Sequence, residues 1–305
     1  MGPEGVPTRY PDGLPAPPGD AVPLVLGAGG MLGRAVAAVL EEACPATVAA
    51  TRAEIDVTDR FRLEAEVERL NPTVVINCTA WTDVDGGEAD PDRAFRVNAE
   101  GAENAARAAA AAGCRFVHFS SDLVFDGRKA TPYTEDDAPA PLSVHGRSKL
   151  EGELRVAAAA PDHLIVRTAW LYGAGRGNFV DVVRDAARSG QPLRVVGDQR
   201  GSPSWVLDVA LAVAGLLAIP HRGVLHVAND GTCTRQELVR AIVDAIGGQV
   251  RLESVAAGNS VRPAPRPAFS ALATGRYAGL AGRPLRPWRD ALIDYLADDG
   301  EAVTA

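Results

Sequence analysis

The chain predicts an α/β fold, a Rossmann-type doubly wound parallel sheet followed by a smaller C-terminal α+β domain. Three observations carry this expectation. Short apolar runs alternate with helical stretches through the first half, the pattern of a parallel sheet covered on both faces. The first apolar run ends in Gly27-Ala28-Gly29-Gly30-Met31-Leu32-Gly33, where a strand turns sharply into a helix. At 305 residues the chain exceeds ordinary single-domain size, which leaves room for an appended domain.

The elements follow in order. Residues 21–26 read as a strand, and residues 31–43 as a helix with Leu32, Val36, Val39 and Leu40 at helical spacing. Residues 47–50 are a second strand, 61–70 a helix, 73–77 a strand, 92–112 one long alanine-rich helix, and 115–120 another strand. The alanine runs at 108–112 and 157–160 act as helix filler, since alanine has the best helix propensity. From Asp126 to Leu142 the sequence is polar and proline-rich, a long loop over a functional edge. A helix over about 144–160 and a strand at 163–167 follow, and beyond them proline, glycine and apolar segments alternate over shorter distances. No internal repeat is visible. The resulting organisation is a disordered Pro/Gly-rich tail at 1–20, a dinucleotide-binding domain at 21–170, a mainly substrate-binding domain at 171–300 with segments returning to the sheet, and a tail at 301–305.

Composition narrows the function classes. Hydrophobic residues at 47% and charged residues at 23% are those of a folded soluble protein. A net charge of -8 argues against a nucleic-acid partner, though a few local arginines suffice for a small anion. Cys44, Cys78, Cys114 and Cys233 form no Cys-x-x-Cys pair and no histidine completes a zinc spacing, so reduced thiols and no metal are expected. The N-terminal residues lack a signal peptide's apolar core, and the run at 205–220 contains Asp208 and falls short of a membrane span. A cytoplasmic protein with no membrane partner follows.

Gly27, Gly30 and Gly33 sit between a strand and a helix, where glycine lets backbone approach a pyrophosphate and free helix amides supply positive charge. Their spacing points to the short-chain dehydrogenase/reductase class. The second strand ends in Thr51-Arg52 with no acid for a ribose 2′-hydroxyl. Arg52 therefore pairs with the 2′-phosphate of NADPH or is merely solvated, and NADH stays possible. Asp56 suits either a contact to the adenine amine or a cap on the following helix.

Further motifs occur in order: Asp56-Val57-Thr58, Asn77-Cys78-Thr79-Ala80-Trp81-Thr82-Asp83, Ser120-Ser121-Asp122-Leu123-Val124-Phe125-Asp126-Gly127, Lys149-Leu150-Glu151-Gly152-Glu153, Arg167-Thr168-Ala169-Trp170-Leu171-Tyr172-Gly173, Asn178-Phe179, Asp198-Gln199-Arg200-Gly201, Arg266-Pro267 and Trp288-Arg289-Asp290. With the glycine turn they cover nearly everything after residue 20, and the chain resembles the dTDP-4-dehydrorhamnose reductase family. The resemblance implies NADPH-dependent reduction of the C4 ketone of a dTDP-linked 6-deoxyhexulose. It implies cofactor contacts from Gly27, Gly30, Met31, Leu32, Arg52, Asp56, Val57, Cys78, Ala80 and Lys149. It also implies that Ser121 polarises the ketone beside Asp122, and that Lys149 holds the nicotinamide ribose.

His145 stands where the family keeps its proton-donating tyrosine, four residues before Lys149 and so on the same helix face. Three readings are open: His145 donates the proton, it positions a water that does so, or it is structural. A histidine beside an ammonium should lose basicity and be mostly neutral at pH 7. Tyr133 reads as a loop anchor, and His118, His163, His221 and His226 as packed or solvated strand residues. By resemblance Trp170 lines the sugar pocket, Asn178 and Gln199 fix polar groups, and Arg266 meets the diphosphate; core packing for Trp170 and a surface ion pair for Arg266 are the alternatives. Leu123 replaces a usual tyrosine, and Phe269 and Ala273 replace a usual asparagine and aspartate. These departures favour specialised deoxysugar formation over ordinary rhamnose supply. A rival reading is a catalytically silent NADP-binding regulatory subunit. Either would act as a monomer or homodimer.

Overall fold

The computed structural model describes residues 15–175, 177–255 and 262–301, with side chains described through 298. Residues 1–14 and 302–305 of the two expected tails lie outside the described residues. Residues 15–20 do not trail away: Pro17 is buried, and the Pro18 carbonyl accepts from Cys44 Sγ at 3.4 Å.

β1 (Pro23–Leu26) leads into α1 (Met31–Ala43), β2 (Val48–Ala50), α2 (Arg60–Leu70) and β3 (Val74–Asn77). Then come α3 (Val84–Ala89), α4 (Pro91–Phe95), a π turn (Arg96–Glu100), α5 (Gly101–Ala111), β4 (Arg115–Ser121), a 3-10 turn (Asp122–Val124), α6 (Val144–Ala159) and β5 (His163–Thr168). The rest comprises β6 (Leu171–Tyr172), α7 (Phe179–Ser189), β7 (Leu193–Val196), β8 (Arg200–Gly201), β9 (Ser204–Trp205), α8 (Val206–Leu216), β10 (Gly223–His226), β11 (Cys233–Thr234), α9 (Arg235–Ala245), β12 (Leu252–Val255), α10 (Gly275–Ala281) and α11 (Trp288–Glu301).

Six parallel strands form the central sheet in the order β10-β5-β4-β3-β1-β2. Alternate residues of each strand enter different cores, as a period of two requires. Val25, Ile76, Val117 and Val166 pack with α1, α8 and α10, whereas Leu24, Val75, Phe116 and Ile165 pack with α2, α5 and α6. Both faces are dry, which is why these strands read as continuous apolar runs. A third core joins Tyr172, Val183, Trp205, Leu238, Trp288 and Tyr295 from the C-terminal elements. α8 and β10 fall within the C-terminal half of the chain but pack on the main sheet.

The helix expected over 92–112 runs from Pro91 to Ala111, with a π turn at Arg96–Glu100 inside it. Asp83 and Asp90 cap α3 and α4 through the amides of Gly86 and Arg93, so the chain stops and restarts at Asp90-Pro91. The π turn then continues almost helically into α5, which apolar periodicity does not reveal. It turns Asn98 inward, fully buried.

Candidate active site

Chain order reverses between β1 and β3, and the crevice outside their carboxyl ends is the usual ligand position of an open α/β sheet. Gly27 turns there with φ +79°, and a Cβ on Gly33 would lie 2.2 Å from the Gly27 carbonyl oxygen, so the close approach demands glycine. Gly30 caps α1 without a side-chain bond, and the first turn holds no acid. Free amides at the start of this helix, flanked by half-buried Met31 and Leu32, suit a pyrophosphate. The Cys78 amide donates to the Leu26 carbonyl at 3.0 Å, holding the β3 end beside the cradle, and Ala80 follows, exposed.

Past β2, Arg52 Nε donates to Asp56 Oδ2 at 3.1 Å, with the arginine side chain 68% exposed. Val57 lies against Gly101, its carbonyl accepting from Asn104 at 3.0 Å. The end of β2 is not free of acid as expected from sequence. A tight turn brings back Glu54, whose carboxylate accepts from the amide and hydroxyl of Thr51 at 2.8 Å each.

Ser121 ends β4, accepting from the Leu123 amide at 3.2 Å and donating to Asp122 Oδ1 at 3.1 Å. Burial pushes the Asp122 carboxyl up to about 6. Ser143 caps α6 through the Gly146 amide, and Gly146 lets the helix pack on the Leu123 carbonyl, 2.2 Å from where a Cβ would stand. That contact brings the α6 face bearing His145 and Lys149 to the ends of β3 and β4.

His145 Nδ1 lies 3.1 Å from the Trp81 carbonyl oxygen. A carbonyl only accepts, so Nδ1 carries the hydrogen and Nε2 of the neutral ring is a bare acceptor. Burial, then the Lys149 charge, pull the imidazole down to about 4. Lys149 is buried, donates to the Phe119 carbonyl at 2.6 Å, and stands 3.3 Å from His118 Nε2. Burial draws the amine down to about 8.

Sequence reasoning missed several residues that hold this geometry. Asn98 bonds the amide and carbonyl of Trp81 at 2.8 and 3.2 Å and donates to Ser148 at 2.9 Å, tying the His145 acceptor to α6. Glu153, one turn after Lys149, accepts from Arg167 at 2.6 and 2.8 Å and from Ser120 at 2.5 Å. His118 is the packed strand histidine expected, and it also bridges Asn77 and Lys149. None of these pairs is local in sequence.

On the other wall, Trp170 takes φ +45°, uncommon for a bulky residue. Its indole lies on Gly201, where a Cβ would come within 2.3 Å, and Arg235 covers it with Cζ 3.5 Å from the ring centroid. Phe179 flanks Arg235 at 4.5 Å. Arg235, also missed from sequence, makes no ion pair among the described residues, and its charge reaches Asp122. The Asn178 side chain caps α7 through the amides of Val180 and Asp181, and the Gln199 backbone carbonyl accepts from the Arg235 amide at 2.9 Å. Arg266 pairs with Asp85 at 3.0 Å, and its charge also reaches His145. Tyr133 donates to Asp126 at 2.7 Å and stacks on Phe125.

Comparison with known proteins identifies the family and the fold. The family profile described as the RmlD substrate binding domain matches residues 23–300. The dTDP-4-dehydrorhamnose reductase of Mycobacterium tuberculosis is 42% identical over 283 residues, covering 90% of this chain and 92% of its own. A probable dTDP-4,6-dihydroxy-2-methyloxan-3-one 4-ketoreductase of Streptomyces antibioticus is 39% identical over 285 residues, covering 90% and 94%. The crystal structure of dTDP-4-dehydrorhamnose reductase from Bacillus anthracis in complex with NADP superposes with a TM-score of 0.88 at 30% identity, covering 92% of this chain and 99% of that one.

Proposed function

The chain belongs to the RmlD substrate binding domain family, and on that premise we propose that it reduces the C4 ketone of a dTDP-linked 4-keto-6-deoxyhexose with NADPH. The observation that carries the reading is the packing of α6, which bears His145 and Lys149, against β4 and the turn after it: Lys149 donates to the Phe119 carbonyl, two residues before Ser121, and Gly146 closes on the Leu123 carbonyl. In this reading Gly27, Gly30, Met31 and Leu32 seat the pyrophosphate, Arg52, Asp56 and Val57 hold the adenosine end, and Cys78, Ala80 and Lys149 border the nicotinamide end. The bound cofactor supplies the hydride.

Ser121 donates a hydrogen bond to the ketone oxygen and disperses charge as it becomes an alkoxide. Of the three readings of His145, the bare Nε2 favours accepting a hydrogen bond from a water or sugar hydroxyl that delivers the proton. Trp170, held between Gly201 and Arg235, borders the sugar pocket with its ring edge, with Asp122, Asn178 and Gln199 beside it. Arg266 reaches the diphosphate only by leaving or sharing Asp85.

The departures at His145, Leu123, Phe269 and Ala273 favour a specialised deoxysugar as substrate. The protein would work in the cytoplasm as a monomer or homodimer with no nucleic-acid partner. Among the described residues no helix is long and apolar enough to cross a membrane. The test is NADPH oxidation with a panel of dTDP-4-keto-6-deoxyhexose epimers, followed by product stereochemistry. Turnover with at least one epimer supports the reading; tight NADP binding without turnover on any of them replaces it with the regulatory subunit.

A further inference from the structure

We propose that Asn77 and His118 are positioning residues whose hydrogen-bond polarity favours the free amine of Lys149, so that they set where this lysine titrates and where the reduction rate falls at alkaline pH. The second clause rests on the reductase reading; the first does not.

The orientation of Asn77 is fixed by backbone. Its Oδ1 lies 3.0 Å from the Thr79 amide nitrogen and 2.6 Å from the Thr79 hydroxyl, and an amide N–H can only donate. Nδ2, the donor end, therefore faces His118 Nδ1 at 3.3 Å. Across the ring, His118 Nε2 faces Lys149 Nζ, also at 3.3 Å. The ring is fully buried, and burial with the nearby Lys149 charge keeps it neutral.

A neutral imidazole has one N–H and one bare nitrogen, so it cannot accept from donors on both sides. With Lys149 as an ammonium, one of the two contacts must be donor against donor, whichever tautomer His118 adopts. With Lys149 as an amine, everything fits. Asn77 donates to Nδ1, Nε2–H donates to the amine lone pair, and the amine donates to the Phe119 carbonyl at 2.6 Å.

The other groups facing Lys149 do not restore the ammonium. Glu153 on α6 is committed to Arg167 and Ser120. Cys78 beyond β3 is held as a thiol by burial, and His145 on α6 is neutral. Burial by itself draws Lys149 down to about 8, with the Glu153 charge acting against it, so the variants below separate the donor line from burial.

The chain contains two lysines, Lys129 and Lys149, so protein labelled at lysine Cε gives two signals whose titration NMR follows without substrate or cofactor. Lys129, paired with Asp137, is the internal control. Wild-type Lys149 should titrate near 8. His118→Phe and Asn77→Leu each remove the donor line while keeping the surroundings apolar. Burial alone predicts an unchanged or lower midpoint for them, whereas the proposal predicts a rise of about one to two pH units.

The alkaline limb of the single-turnover hydride step should move with it. A wild-type midpoint in the ordinary lysine range overturns the proposal. So does an unshifted midpoint in whichever variant folds. A shifted midpoint with an unmoved limb overturns the link to the rate. Absence of turnover altogether counts against the reductase reading and leaves the NMR arm intact.

Discussion

Replacing His145 by phenylalanine should flatten the acid side of the stability profile. His145 is 6% exposed and titrates near 4 when folded, against about 6.5 when unfolded. Between those values the unfolded chain binds the extra proton, so stability falls as pH drops through that window and is fully retained above it. The two pKa values give a loss of about 2 kcal/mol at pH 5 relative to neutral, approaching about 3 kcal/mol below pH 4. Phenylalanine removes this dependence. It also removes the bond to the Trp81 carbonyl, which lowers stability by about 1 kcal/mol at every pH. The two effects separate cleanly, one as a change in slope and one as an offset. Urea unfolding at pH 7.5 and pH 5 measures both, and His118 and His226, which titrate low for the same reason, cancel between the two proteins. Equal losses on acidification in wild type and variant would refute the neutral, buried imidazole and reopen direct proton donation by His145.

Arg52→Asp should weaken NADPH binding more than NADH binding in a fluorescence titration, because it replaces a phosphate partner with a like charge; equal losses remove Arg52 from that role. Arg167→Met strands the Glu153 carboxylate, 5% exposed, and should cost about 3–5 kcal/mol in thermal unfolding, with most of it recovered when Glu153→Met is added. Arg235→Ala releases one face of Trp170 and should raise KM for the sugar nucleotide by a few-fold to about thirty-fold with a smaller change in kcat, read from steady-state kinetics.

The parts of the fold legible in the sequence are those with local causes. Runs such as Pro23–Leu26 and Val74–Asn77 are apolar on both faces because helices cover both sides of the sheet, and the glycine turn announces itself by composition. The π turn was hidden because its periodicity differs little from that of α5, so nothing in the sequence marked Asn98 as an inward-facing polar residue. Candidate site residues were legible where a motif sits on one element, as with His145 and Lys149 on α6. Their partners were not, because Asn77, His118 and Lys149 meet only through the register of β3 with β4 and the packing of α6 on both. Arg235 lay beyond reach for the same reason: its role depends on Trp170, sixty-five positions away, resting on Gly201. Arg266 was legible as a charge but not as the partner of Asp85.

The most direct test of the central claim follows the hydride itself. Purified protein is incubated with NADPH carrying deuterium at both nicotinamide C4 positions and a dTDP-4-keto-6-deoxyhexose, and the sugar is examined by NMR and mass spectrometry. The account predicts one deuterium per product, located at sugar C4, with matching loss of NADPH and a marked drop in rate for Ser121→Ala. Deuterium at another carbon, or no incorporation for any epimer despite saturating NADPH, would contradict it.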